Sequence, residues 1–230
     1  MHDIQIAPEI AARALAARGG RPTIVEAIDA ARTAHLIIDM QNGFMGPGAI
    51  VEIATAREIV PTINRISRAV REAGGLNIFV QFVVERSSLQ NWNVFYNGVF
   101  VPEFAEAMAE AFAPGSHGHA LYPDLEVTEQ DIRVDKARFG AFTPGTSTLK
   151  DELDARGIDT LIVTGTATNV CCETTAREAM QHNYRVLFIS DATAAVTDVE
   201  HNAALNSLTS IFADVIPSET ALQIISHRTT

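Results

Sequence analysis

Short runs rich in β-branched residues alternate along this chain with longer segments whose apolar residues recur at helical spacing. A strand that is apolar on both sides has no face to give to water, so crossover helices must cover both faces of its sheet. That rhythm predicts a single α/β domain built as three layers, α/β/α, around a parallel sheet. His35–Met40 (HLIIDM) reads as the first strand, Asn77–Val84 as the second and Asp131–Val134 as a shorter third. Thr160–Thr164 (TLIVT), Arg185–Ser190 (RVLFIS) and Asp214–Ile216 complete the set. The intervening helices run over Val60–Ala73, Thr146–Arg156, Val170–His182 and Glu200–Phe212. Pro61 is tolerated in a first turn, and Gly74-Gly75 and Gly157 supply the stops.

Two segments fall outside the rhythm. Residues 1–33 carry an Ala-rich helical pattern and read as an arm packed on the domain, 34–230, or on a neighbouring subunit. Residues 85–130 form a long connection, the kind that in compact domains serves as a functional lid. A chain of 230 residues with 47% hydrophobic and 20% charged content buries one real core. Its net charge of −11 argues against nucleic acid and anionic membranes as partners, since both reward Lys and Arg. No run approaches the roughly 20 apolar residues that span a bilayer, and MHDIQIAPEI has no secretory n- or h-region. The two cysteines, Cys171 and Cys172, are adjacent, so they read as free thiols, which fits a cytoplasmic location.

Three positions carry potential chemistry. In TGTATNVCCETTA, Thr164–Ala176, a buried strand turns through small residues into a helix with a cysteine in its first turn. A helix N-terminus lowers a thiol pKa and offers N–H groups to an oxyanion, although a buried structural Cys fits the same spacing. Asp39, in LIIDMQNGF, closes an apolar strand at the carboxyl edge, where open α/β sheets place their sites; an Asp capping the next loop is the alternative. Lys136, in VDKARFGAF, follows a short strand and by itself reads as a solvated surface charge.

Taken together, the LIIDMQNGF strand, the Lys136-Ala-Arg-Phe-Gly-Ala-Phe142 segment and the GTATNVCCETTAREA turn-helix resemble the isochorismatase-like cysteine hydrolases. That group includes nicotinamidase and the N-carbamoylsarcosine, ureidoacrylate and biuret amidohydrolases. The resemblance covers about Thr33 to Ser218. It implies a six-stranded parallel sheet, a triad of Asp39, Lys136 and Cys171, and a non-proline cis peptide at Thr166–Ala167. It also implies an oxyanion hole made by the amides of Ala167 and Cys171. No cofactor is expected. Cys172 stands where relatives usually carry Val and reads as a packed thiol beside the nucleophile.

Nicotinamidases carry a metal site opened by Asp-x-His after the second strand; here VVERSSLQNW offers no His, so no metal is expected. His117 and His119, in GSHGH, lack a third partner nearby in sequence and read as loop residues. The expected substrate is a small linear amide, carbamoyl or ureido compound, cleaved with release of ammonia. Phe44, Trp92, Tyr96 and Phe142 are candidate pocket walls, Gln41 and Thr166 candidate polar contacts, and Arg138 and Arg86 candidate carboxylate partners. Two other readings stand beside this one: a catalytically inactive interaction module of the same fold, and a hydrolase of simple primary amides. A homo-oligomer is expected, with the N-terminal arm as the segment that joins copies.

Overall fold

The computed structural model describes residues 1–226, so the end of the expected domain span, 227–230, lies outside the described residues. Six strands form one sheet: β1 (Thr33–Ile38), β2 (Leu76–Phe82), β3 (Ile132–Lys136), β4 (Thr160–Thr166), β5 (Arg185–Ala194) and β6 (Asp214–Ile216). Their order is β3-β2-β1-β4-β5-β6, and every pairing is parallel. The chain winds outward in one direction from β1 to β3 and returns to wind the other way from β4. The crevice between the ends of β1 and β4 is therefore the topological switch point, where open α/β sheets hold ligands.

The helices are α1 (Pro8–Ala17), α2 (Asn42–Met45), α3 (Val60–Ala73), α4 (Ser88–Asn91), α5 (Pro102–Ala111), α6 (Leu149–Ala155), α7 (Glu173–Gln181), α8 (Asp198–Ile211) and α9 (Ser218–Ser226). The strands alternate faces with period two. Ile37, Phe79, Ile162 and Leu187 pack with Ile63, Ile66 and Val70 of α3 and Ile224 and Ile225 of α9. Leu36, Ile78, Val163 and Phe188 face the opposite way, toward Leu149 of α6, Ala176 of α7 and Leu205 of α8. Each such side chain, fully buried, contributes roughly 1.5–3 kcal/mol of transfer free energy. A polar cluster lies inside the sheet: the His35 ring reaches Asn77 Oδ1 at 3.1 Å and Thr164 Oγ1 at 2.8 Å, and Asn77 continues it by donating to Asp131 Oδ1 at 3.1 Å. Burial lowers the His35 pKa to about 3, so the ring is neutral.

Several boundaries differ from the sequence reading. β3 runs on through Lys136 because Phe82 of β2 still pairs with it. β5 continues to Ala194 past a register irregularity opposite β4. The connection read as a lid over residues 85–130 is helical in its first half and irregular after Ala111: α4, a π turn at Val94–Val99 and α5 build a third apolar cluster around Phe82, Val84, Tyr96 and Phe112. Aromatic residues in this segment seek burial, and the end of β2 is the apolar surface within reach. The N-terminal segment lies on its own domain. Asn202 and Asn206 of α8 accept from the amides of Gln5 and Ala7, and the Asp214 carboxylate takes those of Ile24 and Val25.

Candidate active site

Asp39 follows directly on β1 with φ of 53°, a left-handed conformation that non-glycine residues adopt at a cost of about 1–3 kcal/mol. Two backbone bonds hold it there: its amide donates to Val80 O at 2.8 Å, and its carbonyl accepts from the Gln41 amide at 2.8 Å. Gly165 of β4 makes the approach to β1 possible, since a Cβ there would lie 2.1 Å from the Ile38 carbonyl oxygen. Any side chain at Gly165 would drive β4 away from the residue preceding Asp39.

Lys136 closes β3, two strands from β1, a separation of roughly 9–10 Å at ordinary strand spacing. Only a long side chain crosses that gap. Lys136 does so over the Phe82 ring, with Nζ 5.0 Å from its centroid, and donates to Asp39 Oδ2 at 2.9 Å and to the Arg138 carbonyl at 3.1 Å. Both charged groups are fully buried. The second Asp39 oxygen, Oδ1, has no hydrogen-bond partner of standard geometry, and the Cys171 thiol and Phe82 amide are near enough to act on the carboxylate.

Cys171 sits in a π turn, Thr168–Cys172, between β4 and α7, and the peptide that enters this turn, Thr166–Ala167, is cis. The amides of Val170 and Cys172 both donate to Ala167 O, at 3.2 and 3.1 Å, which draws the turn tight. Cys171 is 5% exposed and lines a cavity; Cys172 is fully buried against the opposite wall of the turn, its Sγ 4.0 Å from Thr164 O. The three groups titrate as a unit. Burial raises the Asp39 pKa, and the Lys136 ammonium opposes that rise. Burial works to lower the Lys136 pKa, but the Asp39 charge together with Cys171 and the hydrogen bonds to both raises it on balance. Burial, and then the Asp39 charge, push the Cys171 thiol well up. The cysteine lies in the π turn ahead of α7, where burial and the neighbouring carboxylate oppose the lowering of the thiol pKa expected at a helix N-terminus. At rest the site holds a thiol beside an ion pair.

The cavity above Cys171 has a volume of about 440 Å³. Phe44, Phe82, Phe95, Phe100, Met108 and Phe139 form most of its hydrocarbon wall, and the Ile50–Ile53 loop and Val196 complete it. Of the six side chains singled out from sequence as substrate contacts, Phe44 lines this space and five do not. Gln41 is held by backbone, donating to Phe82 O and His119 O and accepting from Phe82 N. Thr166 Oγ1 donates to Ala194 O at 2.9 Å. Tyr96 is fully buried in the third cluster, and Phe142 packs on His182 and Tyr184 beyond the other face of the sheet. Trp92 supports the wall from behind, stacked on Phe95 at 4.2 Å and edge-on to Phe139 at 4.7 Å. Ala167 does line the cavity. Sequence reasoning passed over Asn169, Glu52 and Glu200, which also border it. Asn169 lies inside the turn motif, and Glu200 is the acidic member of a capping box with Thr197; no local signal marks Glu52. His119 Nε2 bonds Asp135 at 3.0 Å, and no group of three or more His, Cys, Asp or Glu among the described residues is placed to hold a metal.

Cys171 is expected to alkylate before Cys172, because it alone opens to the cavity. Peptide mapping after brief iodoacetamide treatment reads this, and faster labelling of Cys172 would contradict the placement.

A family model described as the isochorismatase domain matches residues 33–220. The chain belongs to the isochorismatase domain family. Among the relatives of this isochorismatase-family chain is ureidoacrylate amidohydrolase RutB of Methylobacterium radiotolerans. It is 34% identical over 219 residues, covering 87% of this chain and 83% of its own length. The uncharacterized isochorismatase family protein YwoC of Bacillus subtilis is 35% identical over 185 residues, covering 77% of this chain and 86% of its own. A cysteine hydrolase from Pseudomonas syringae pv. phaseolicola superposes with a TM-score of 0.79 at 27% identity, covering 90% of this chain and 98% of that one. Among the described residues, α1 lies outside the matched span and α9 lies partly outside it.

Proposed function

We propose that this protein is a cysteine amidohydrolase that cleaves the C–N bond of a small linear amide, carbamoyl or ureido compound through a thioester, releasing ammonia. The observation that carries the reading is the buried Asp39–Lys136 pair whose second carboxylate oxygen is left without a partner beside the Cys171 thiol. A carboxylate held by one ammonium and idle on its other oxygen is placed to take a proton. The relatives named as amidohydrolases support a hydrolase of non-peptide C–N bonds.

The steps follow from those positions. Asp39 accepts the thiol proton as Sγ adds to the substrate carbonyl, and the Lys136 ammonium offsets the negative charge that this leaves on the thiolate. The carbonyl π electrons move to oxygen, and the amides of Ala167 and Cys171 are the donors that hold the resulting oxyanion. One such donor is worth on the order of 10²–10³ in rate. Protonated Asp39 then gives its proton to the departing nitrogen, the C–N bond breaks, and ammonia leaves behind a thioester. Water adds to the thioester with its proton passing to Asp39, and the C–S bond breaks. The proton returns to Sγ, which restores the resting thiol.

Ammonia release measured over primary amides, N-carbamoyl amino acids, alkyl ureas, ureidoacrylate and biuret tests the reading. Turnover of at least one class is expected, surviving exhaustive chelation. The pH profile of kcat/KM should fall on its acid side with a midpoint above the ordinary carboxylate range. The reason is that Asp39, its pKa raised by burial, must be ionised to act as base. Failure on every class would favour the non-enzymatic module.

A further inference from the structure

A substrate that reaches Cys171 must lie against the wall of the 440 Å³ cavity, so the charge of that wall selects among amides. Its side chains are almost all hydrocarbon, and among the described residues the charged ones that line it are both acids, Glu52 and Glu200. Glu52 is spoken for: Oε1 accepts from Arg57 Nη1 at 2.8 Å and Oε2 from the Gly48 amide at 2.8 Å. Glu200 uses only one oxygen, Oε2, to accept from the amide and hydroxyl of Thr197 in the cap of α8. Its other oxygen has no hydrogen-bond partner among the described residues, and although the start of α8 favours the charge, no Lys or Arg among the described residues lines the cavity to pair with it.

The cations that the sequence put forward for a substrate carboxylate are elsewhere. Arg138 lies over the Trp92 ring, 4.8 Å from its centroid, and donates to the carbonyls of Ala137 and Asn91. Arg86 borders a separate groove between α4 and α5. Lys136 is buried behind Cys171 and bound to Asp39. A carboxylate brought into this cavity would lose its water, meet hydrocarbon, and face Glu200. The polar side chain free to meet a substrate is the neutral amide of Asn169, which makes no hydrogen bond to the described residues.

We infer that this site takes amides or ureides whose substituent is an uncharged hydrocarbon group, and that Glu200 is the residue that excludes carboxylate-bearing ones. This rests on the Cys171 hydrolase reading and narrows it. It separates this chain from its 34%-identical relative named for ureidoacrylate, a molecule that carries a carboxylate.

Two pairs of matched shape, with an isopropyl group in place of the carboxylate, test it: 4-methylpentanamide against succinamate, and 3-methylbutylurea against 3-ureidopropionate, with Cys171→Ala as the blank in every assay. The neutral member of at least one pair is expected to exceed its anionic partner by about 10²-fold or more in kcat/KM, as an unpaired charge in an apolar, like-charged site requires. Glu200→Gln keeps an acceptor for the α8 cap and should narrow that ratio about tenfold, read alongside a thermal midpoint that reports whether the fold is intact. Cys171-dependent turnover in which the anionic members match or exceed the neutral ones would overturn the inference and leave the hydrolase reading standing. So would a ratio that Glu200→Gln does not move in a folded variant. Ammonia release at the Cys171→Ala blank level from all four compounds, and from the wider panel, would overturn the hydrolase reading and this inference with it.

Discussion

Lys136→Met is expected to destabilise the protein by about 3–5 kcal/mol at neutral pH, the usual consequence of removing one member of a buried ion pair. The change leaves the fully buried Asp39 carboxylate with no cation within reach. Its pKa, already raised by burial, would rise further once the opposing ammonium is gone. The sign of the pH dependence follows. A carboxyl whose folded pKa lies above its unfolded value takes up a proton on folding, so its contribution is fully present below the unfolded pKa and is lost as pH rises through the folded one. The deficit of Lys136→Met should therefore shrink on acidification, and urea titrations at several pH values would show it. Asp39→Asn/Lys136→Met removes both charges, and Asn tolerates the left-handed backbone at position 39. The double variant should recover most of the lost stability while hydrolysing nothing. Recovery of activity with stability would mean that the pair is structural, and an undamaged single variant would mean that the charges are not buried together.

Cys171→Ala is expected to lower turnover by on the order of 10⁴-fold or more, the scale seen when a nucleophile is removed from a catalytic unit. The fold should barely notice, because the side chain already borders open space and loses one sulfur atom. Cys172→Ala is the control. It deletes a sulfur packed among the α6–α8 face residues, so it should cost stability, about 1 kcal/mol, while turnover stays within tenfold. If the two variants exchange these phenotypes, the nucleophile has been placed on the wrong cysteine. Cys171→Ser should resemble Cys171→Ala, because burial beside Asp39 already holds a thiol protonated and would hold a hydroxyl more firmly.

The positions of Asp39 and Cys171 were legible because strand ends are legible: each follows an apolar run with a sharp change of composition, and a parallel sheet aligns all such ends on one edge. Lys136 was legible only through the motif around it. Its local pattern is that of a surface lysine, and nothing near it in sequence announces that β3 lies two strands from β1. The aromatic residues failed differently. Tyr96 and Phe142 were correct in type and neighbourhood, yet each turned into a core instead of the cavity. Which face of a turn an aromatic ring takes depends on the apolar surface that arrives beside it, and that surface comes from distant parts of the chain.

The alternation of apolar strands with amphipathic helices thus determined the layered parallel sheet, and with it the edge that holds the chemistry, because hydrophobic period is a local property that burial must satisfy. The tertiary structure decided the rest. It crossed β2 with the Lys136 side chain, brought the Ile50–Ile53 loop and Met108 to one wall, and left Glu200 facing the space above the thiol. It also buried the thiol beside a carboxylate, which works against ionisation. Pair charges, cavity walls and desolvation are set by distances through space between segments far apart along the chain, and no local pattern encodes those distances.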